Sequence, residues 1–186
     1  VILKPASLTP ASALELTKIV AKQDIPAGLF NLVLGSGGDI GNKIATHKDI
    51  VAITFTGSVD VGKRLYQDAS AQLKKMQMEM GSKNPLVVME DADLTTAIAC
   101  ASNGAYGGTG QKCTASSRLI VHEDIYKEFV EGLIENIKNI KVGHALDEGT
   151  QMGPASNQYQ FEGNLNYVEI GKGEAKLAYG GNPMNM

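Results

Sequence analysis

Two side chains stand where they could do covalent and acid–base chemistry, those of Cys113 and Glu79. Cys113 lies in a loop of small residues between a predicted helix and a predicted strand, where a substrate can reach a thiol nucleophile. Glu79 lies near the end of a predicted strand, between Met78 and Met80, and a carboxylate in apolar surroundings is suited to general-base work near neutral pH. Each also has a plainer interpretation. A lone cysteine is usually a small core residue, and Glu79 would then be an ordinary half-exposed glutamate at a strand end. Cys100 falls on a helix, where we expect it to be buried and closed to substrates.

Strands and helices alternate along the chain around these two residues. Short apolar or β-branched runs predict strands at 1–3, 30–34, 50–55, 75–80, 85–89 and 118–122. Helical spacing predicts helices at 11–21, through Ile40 and Ile44, through Val61 and Leu65, from a cap at Asp91-Ala92-Asp93 to about 103, and at 123–138. This alternation predicts an α/β fold with a doubly wound parallel sheet. The composition changes after Met76, so we place a domain boundary near Met80, with α/β structure on both sides.

Two glycine-rich turns follow predicted strands and could bind a phosphate at a helix N-terminus. The turn at 35–41 misses the dinucleotide pattern G-x-G-x-x-G because Ile40 stands where the last glycine is required. The segment 57–64 nearly matches the P-loop, but Arg64 replaces the hydroxyl residue that holds Mg²⁺, which argues against an ATPase. Alone, these turns are compatible with a nucleotide site or with plain strand–helix connections.

The overall composition excludes several classes of function. The formal net charge is −3 and the 17 basic residues are dispersed, so we expect no nucleic-acid partner. The apolar runs are too short to span a bilayer, and no membrane partner is expected. Two cysteines and three scattered histidines predict no metal site. We expect a cytoplasmic protein. The chain begins with Val1, inside a predicted strand, so we interpret it as an internal fragment of a longer protein.

Four motifs in order along the chain resemble those of the aldehyde dehydrogenase superfamily. They are Lys4-Pro5-Ala6-Ser7-x-Thr9-Pro10, Phe55-Thr56-Gly57-Ser58-x-x-x-Gly62, Glu79-Met80-Gly81-Ser82-Lys83-Asn84-Pro85 and Gly110-Gln111-Lys112-Cys113. Each motif alone is a weak signal, but their common order over nearly the whole chain is a strong one. The resemblance implies that residues 1–79 are the C-terminal portion of an NAD(P)-binding domain. It implies that residues 80–186 are the N-terminal portion of a catalytic domain.

The resemblance also implies the role of each site residue. Cys113 would attack an aldehyde to form a thiohemiacetal, hydride would pass to NADP or NAD, and Glu79 would activate the water that hydrolyses the thioester. The Cys113 backbone N–H would help to hold the oxyanion. The residues that would bind the cofactor are Lys4 and Ser7 at the adenosine ribose, Gly57 and Ser58 at the pyrophosphate, and Met80 at the nicotinamide. The full-length protein would be a homo-oligomer, a dimer or a tetramer, acting on a small-molecule aldehyde.

Two departures from the family pattern bear on specificity. Ser82 stands where the family usually has a second glycine, and its side chain could tighten the site. Ser7 stands where many NAD-preferring members carry a glutamate that repels a 2′-phosphate, so we expect NADP to be used at least as well as NAD. The segments 113–121 and 141–147 resemble those of 2,5-dioxopentanoate (α-ketoglutaric semialdehyde) dehydrogenases. Succinate-semialdehyde or broad-range aldehyde dehydrogenases, and an inactive truncated nucleotide-binding remnant, are the alternatives.

Overall fold

The computed structural model describes residues 1–184, which divide into two compact units between Met80 and Gly81. The strands are β1 (Ile2–Leu3), β2 (Asn31–Leu32), β3 (Ala52–Gly57), β4 (Lys75–Met80), β5 (Asn84–Val88) and β6 (Ser116–Val121). The α-helices are α1 (Ala11–Ala21), α2 (Asn42–Thr46), α3 (Val59–Ser70), α4 (Leu94–Tyr106), α5 (Glu123–Lys138) and α6 (Gln158–Glu174). A π-helical turn, Gly37–Gly41, leads directly into α2.

The first unit contains two parallel strand pairs, β1 with β2 and β3 with β4. Along β4 the methionines alternate with polar residues, and the methionine side is the more covered one, as expected for a strand with one packed face. Helix α3 packs on this face through Gly62, where an added Cβ would lie 2.5 Å from the Met80 sulfur. The absence of a side chain at Gly62 therefore lets the helix approach the end of β4 closely.

The second unit has one parallel pair, β5 with β6, covered by α4 and α5. Its core is formed by Val88, Ala101 and Phe129, of which Phe129 is completely buried. Asp93, within the predicted cap at 91–93, is the N-cap of α4, and its carboxylate accepts a hydrogen bond from the Thr96 backbone N–H at 2.7 Å. The hydrogen bonds from Thr96, from its side chain first and then its backbone, hold the pKa of Asp93 below its usual value of 3.8.

The α/β class and the parallel strand pairing predicted from sequence are confirmed. Within residues 1–184 the strands form three separate two-stranded pairs rather than one continuous sheet. The predicted bounds of β4 and α5 agree with the structure, whereas α6 was not predicted because it has no amphipathic spacing and buries no residue. Residues 179–184 form no helix or strand, and residues 185 and 186 lie outside the described part of the chain. No helix in the described part is long and apolar enough to cross a membrane.

Candidate active site

Cys113 lies at the first central position of a tight turn that connects α4 to β6. The Ala115 N–H donates to the Lys112 carbonyl oxygen at 3.2 Å and closes this turn around Cys113 and Thr114. The thiol is free and exposed. A turn leaves the N–H groups of its two central residues without an internal partner, and none of the described residues accepts a hydrogen bond from the N–H of Cys113 or Thr114. Cys113 thus combines an accessible nucleophile with two adjacent backbone donors.

The turn is held from the side by Asn84, the first residue of β5. Its side-chain Nδ2 donates to the Cys113 carbonyl oxygen at 2.7 Å and to the Ala115 carbonyl oxygen at 3.2 Å. The Ser82 hydroxyl donates to the Asn84 Oδ1 at 2.9 Å. Sequence reasoning did not assign a role to Asn84, although the motif that contains it had been noted.

A left-handed segment precedes the Cys113 turn. Gly108, Thr109 and Gly110 have φ values of +60°, +60° and +66°, a region that side chains rarely adopt. Gly110 has a second constraint, because an added Cβ would lie 2.7 Å from the Ala105 carbonyl oxygen. The glycines close to Cys113 are therefore required by backbone geometry, and they bring the chain sharply away from the end of α4.

Cys100 is exposed on α4, so the expectation that it would be buried was wrong. One side of α4 packs against the core and the other side is exposed. Ala101 lies on the packed side and is fully buried, whereas Cys100 is not. Accessibility therefore does not distinguish the two thiols. The local backbone does, since Cys100 lies within a regular helix, where backbone N–H groups are used in intrahelical bonds, whereas Cys113 lies in a turn.

Glu79 occupies the penultimate position of β4, on the exposed side of the strand. The expectation that methionines would surround its carboxylate is not met within this chain, because Met78 and Met80 point to the opposite face. In the parallel register Glu79 is paired with Thr56, and the next pair along is Gly57 with Met80. The carboxyl ends of β3 and β4 therefore bring Glu79, Met80 and Gly57 to one edge.

Ser58 continues this edge as the N-cap of α3, where its hydroxyl accepts from the Val61 N–H at 3.4 Å. Ligands of parallel sheets bind beyond the carboxyl ends of the strands, and a helix N-terminus there favours phosphate. Asp60 in the first turn adds a negative charge, so an anion would have to rely on backbone N–H groups. The start of α3 therefore offers backbone N–H groups to an anion such as a phosphate.

Lys4 and Ser7 follow β1, at the carboxyl end of the other pair in the same unit. The Ser7 hydroxyl donates to the Gly35 carbonyl oxygen just after β2 at 3.1 Å, and the Lys4 ammonium donates to the Pro5 carbonyl oxygen at 2.8 Å. A lysine ammonium carries three hydrogens, so Lys4 keeps donors available for a ribose hydroxyl or a phosphate. In the described residues, no group of three or more His, Cys, Asp or Glu side chains could hold a metal ion.

Comparison with known proteins identifies the family. Residues 1–186 match the model of the aldehyde dehydrogenase family. The chain belongs to the aldehyde dehydrogenase family. It is 42% identical over 184 residues to 2,5-dioxopentanoate dehydrogenase from Saccharolobus solfataricus, covering 97% of this chain and 38% of that protein. It is 43% identical over 182 residues to alpha-ketoglutaric semialdehyde dehydrogenase from Bacillus subtilis, covering 97% of this chain and 37% of that protein.

The solved structures lead to the same family. The crystal structure of betaine aldehyde dehydrogenase from Staphylococcus aureus, in complex with NAD+, matches this aldehyde dehydrogenase chain with a TM-score of 0.96 and 32% identity. The match covers 100% of this chain and 37% of that one. The family resemblance predicted from four motifs is thus confirmed. The chain spans well under half the length of the relatives that it matches, so the activity of the whole protein is a matter for proposal.

Proposed function

We propose that this aldehyde dehydrogenase chain carries the nucleophile, the base and part of the cofactor site of an NADP- or NAD-dependent oxidation of an aldehyde to a carboxylic acid. The Cys113 sulfur adds to the aldehyde carbon and forms a thiohemiacetal. NADP or NAD, when bound, would supply the hydride acceptor; loss of the hydride from the thiohemiacetal carbon and of the hydroxyl proton to water would leave a thioester on Cys113. Water activated by Glu79 then hydrolyses the thioester, releasing the acid and the free thiol.

The observation that carries this proposal is the turn at Cys113. Addition of the thiol to a carbonyl places negative charge on the former carbonyl oxygen, within reach of the N–H of the residue that bears the nucleophile. The Cys113 N–H has no acceptor among the described residues and is available for that oxygen. The rigid hydrogen bonds around the turn keep this donor in place before the substrate arrives, so the charge can be stabilised without rearrangement of the backbone.

The cofactor assignment rests on the strand ends of the first unit. We assign Gly57 and Ser58 to the pyrophosphate and Met80 to the nicotinamide end, because these residues lie at one carboxyl edge of β3 and β4. We assign Lys4 and Ser7 to the adenosine ribose. The uncharged Ser7 leaves room for a 2′-phosphate, which supports the use of NADP as well as NAD.

The test of the nucleophile compares the two exposed cysteines in the full-length protein. Cys113→Ser is expected to abolish aldehyde-dependent formation of NADPH or NADH, whereas Cys100→Ser keeps the wild-type rate. Mass spectrometry after treatment with a substrate-like alkylating agent should find the adduct on Cys113. Loss of activity in Cys100→Ser with retention in Cys113→Ser would refute the assignment.

The test of the base uses Glu79→Gln, which keeps the size of the side chain and removes the carboxylate. A positioned general base contributes about 10²- to 10⁴-fold to a rate. We expect the first turnover to produce reduced cofactor normally and later turnovers to be slowed by that factor, because the thioester is not hydrolysed. A variant that loses the first turnover and the steady state equally would exclude a base that acts only in hydrolysis.

We further propose 2,5-dioxopentanoate as the substrate, giving 2-oxoglutarate, because two similar relatives are named for this reaction. Succinate semialdehyde and a broad range of aldehydes are the alternatives. The decisive measurement is kcat/KM for 2,5-dioxopentanoate, succinate semialdehyde and an uncharged aldehyde of similar length. A preference for the uncharged aldehyde would overturn the substrate assignment and leave the reaction class intact.

For the full-length protein we propose a homodimer or a homotetramer. Light scattering measures the molar mass of the particle in solution and distinguishes the two from a monomer.

A further inference from the structure

Ser82 is connected to Cys113 through one side chain. The Ser82 hydroxyl donates to Asn84 Oδ1 at 2.9 Å, and Asn84 Nδ2 donates to the carbonyl oxygens of Cys113 and Ala115 at 2.7 and 3.2 Å. Both hydrogens of the Asn84 amide are thus used on the turn that presents the thiol. This connection joins residues far apart in sequence, since 29 positions separate Asn84 from Cys113.

The Ser82 hydroxyl decides which way the Asn84 amide faces. The last torsion of an asparagine side chain has a broad, roughly two-fold preference, so the amide alone does not choose its orientation. Ser82 donates to the oxygen and leaves the NH₂ group to face the two carbonyls. If the amide turned over, its oxygen would face two other oxygens and both bonds would be lost.

The bond to the Cys113 carbonyl oxygen also orients the peptide group between Cys113 and Thr114. A peptide group is planar, so fixing its oxygen fixes the direction of the Thr114 N–H and restricts the backbone that carries the thiol. The loop that holds Ser82 is anchored separately, because Arg118 donates to the Lys83 carbonyl oxygen from Nε at 3.0 Å and from Nη2 at 2.6 Å. A change at Ser82 is therefore expected to release the amide and to leave the loop in place.

We propose that Ser82 is a positioning residue for Cys113, acting through Asn84. The inference rests on the proposed function, in which Cys113 is the nucleophile. Ser82 supports the site by holding the Asn84 amide in the orientation that keeps the Cys113 turn rigid. Removal of its hydroxyl lowers the reactivity of the thiol and the rate of the chemical step without lowering the affinity for the cofactor.

The experiment uses the full-length protein in a Cys100→Ser background, so that only one of these two thiols reports. Ser82→Ala removes the hydroxyl, Ser82→Thr restores it, and Ser117→Ala, in β6 outside this network, is the matched control. Three quantities are measured for each variant: the second-order rate constant for alkylation of Cys113 by iodoacetamide, kcat for aldehyde oxidation, and the dissociation constant for NADP. Thermal melting monitors folding.

We expect Ser82→Ala to lower the alkylation rate and kcat by about 3- to 10-fold, the size expected for one lost hydrogen bond, with an unchanged NADP dissociation constant. Ser82→Thr and Ser117→Ala should remain close to the parent. An alkylation rate in Ser82→Ala equal to the parent, or in Ser82→Thr as low as in Ser82→Ala, overturns the inference. If the alkylation rates follow expectation but the parent oxidises no aldehyde, the proposed function fails and the positioning role stands.

Discussion

The left-handed segment before Cys113 gives a quantitative prediction about Gly110. An alanine there must adopt a φ of +66°, which costs about 1–2 kcal/mol for a residue with a side chain. Its Cβ would also lie 2.7 Å from the Ala105 carbonyl oxygen, well inside the 3.4 Å at which ordinary contact begins. The obstacle is backbone at the end of α4, so relief requires movement of the chain, at about 1–3 kcal/mol. We therefore expect Gly110→Ala to destabilise the protein by about 2–5 kcal/mol.

Substitutions at two other glycines separate the cost of the left-handed backbone from the cost of the contact with Ala105. Gly108 has a φ of +60°, but an added Cβ would meet only the Lys112 Cε at 3.6 Å, so Gly108→Ala should cost about 1–2 kcal/mol from the backbone alone. Gly81 lies outside the left-handed region and has nothing within 4 Å of an added Cβ, so Gly81→Ala should change stability by less than about 0.5 kcal/mol.

The assay is urea unfolding of the three variants and the parent protein, followed by circular dichroism, together with the alkylation rate of Cys113. We expect Gly110→Ala to be the least stable and also to react more slowly, because Gly110 lies three residues before the thiol. If Gly110→Ala is as stable as Gly108→Ala, the contact with the Ala105 carbonyl oxygen does not contribute to the loss of stability. If all three variants match the parent, the left-handed segment itself is refuted.

Three further predictions address the cofactor, the core and a helix cap. The wild-type protein should use NADP at least as well as NAD, and Ser7→Glu should lower kcat/KM for NADP relative to NAD by repelling the 2′-phosphate; a wild-type preference for NAD above about tenfold, or 1.4 kcal/mol, contradicts this. Phe129→Ala should lower the free energy of unfolding by about 3–5 kcal/mol, because Phe129 is completely buried, whereas Tyr126→Ala on the same helix, 58% exposed, should be nearly neutral. Asp93 has a pKa below 3.8 because of its hydrogen bonds from Thr96, so its stabilising effect is present above pH 3.8 and is lost as the pH falls through the lower, folded-state pKa. The difference in melting temperature between the parent and Asp93→Ala should therefore shrink at acid pH, and a difference independent of pH would be inconsistent with a charged cap.

The elements that sequence predicted well are those whose signals are local. Helix α5 has an apolar stripe at helical spacing and acidic residues in its first turn, and β4 alternates methionines with polar residues. Helix α6 lacks both kinds of signal, since it contains three glycines and no residue buried in this chain. Its formation depends on more than a periodic apolar face, so pattern analysis had no means of finding it.

The same distinction between local signals and long-range packing applies to the candidate site. The types and order of the motif residues single out Cys113 and Glu79 as the predicted nucleophile and base, because chemistry constrains which side chains can serve, and this assignment stays a prediction. Their surroundings were not predictable, since burial depends on packing between distant segments: Cys100 proved exposed, and Glu79 lies on the face away from its methionine neighbours.

The bonds from Asn84 to the Cys113 turn connect the two motifs that carry the proposed base and the proposed nucleophile. A nucleophile on a turn is accessible, but an isolated turn is mobile, and stabilising an oxyanion with a backbone N–H requires a fixed donor. Asn84 lies in the same motif as Glu79 and donates to the carbonyls of Cys113 and Ala115. The motif that supplies the proposed base therefore also supplies the side chain that holds the nucleophile's backbone. Substitution of Asn84 by Asp, which replaces the donating NH₂ by an acceptor, should consequently impair thiol reactivity more than Ser82→Ala, and an equal or smaller effect in the alkylation assay would contradict this order of dependence.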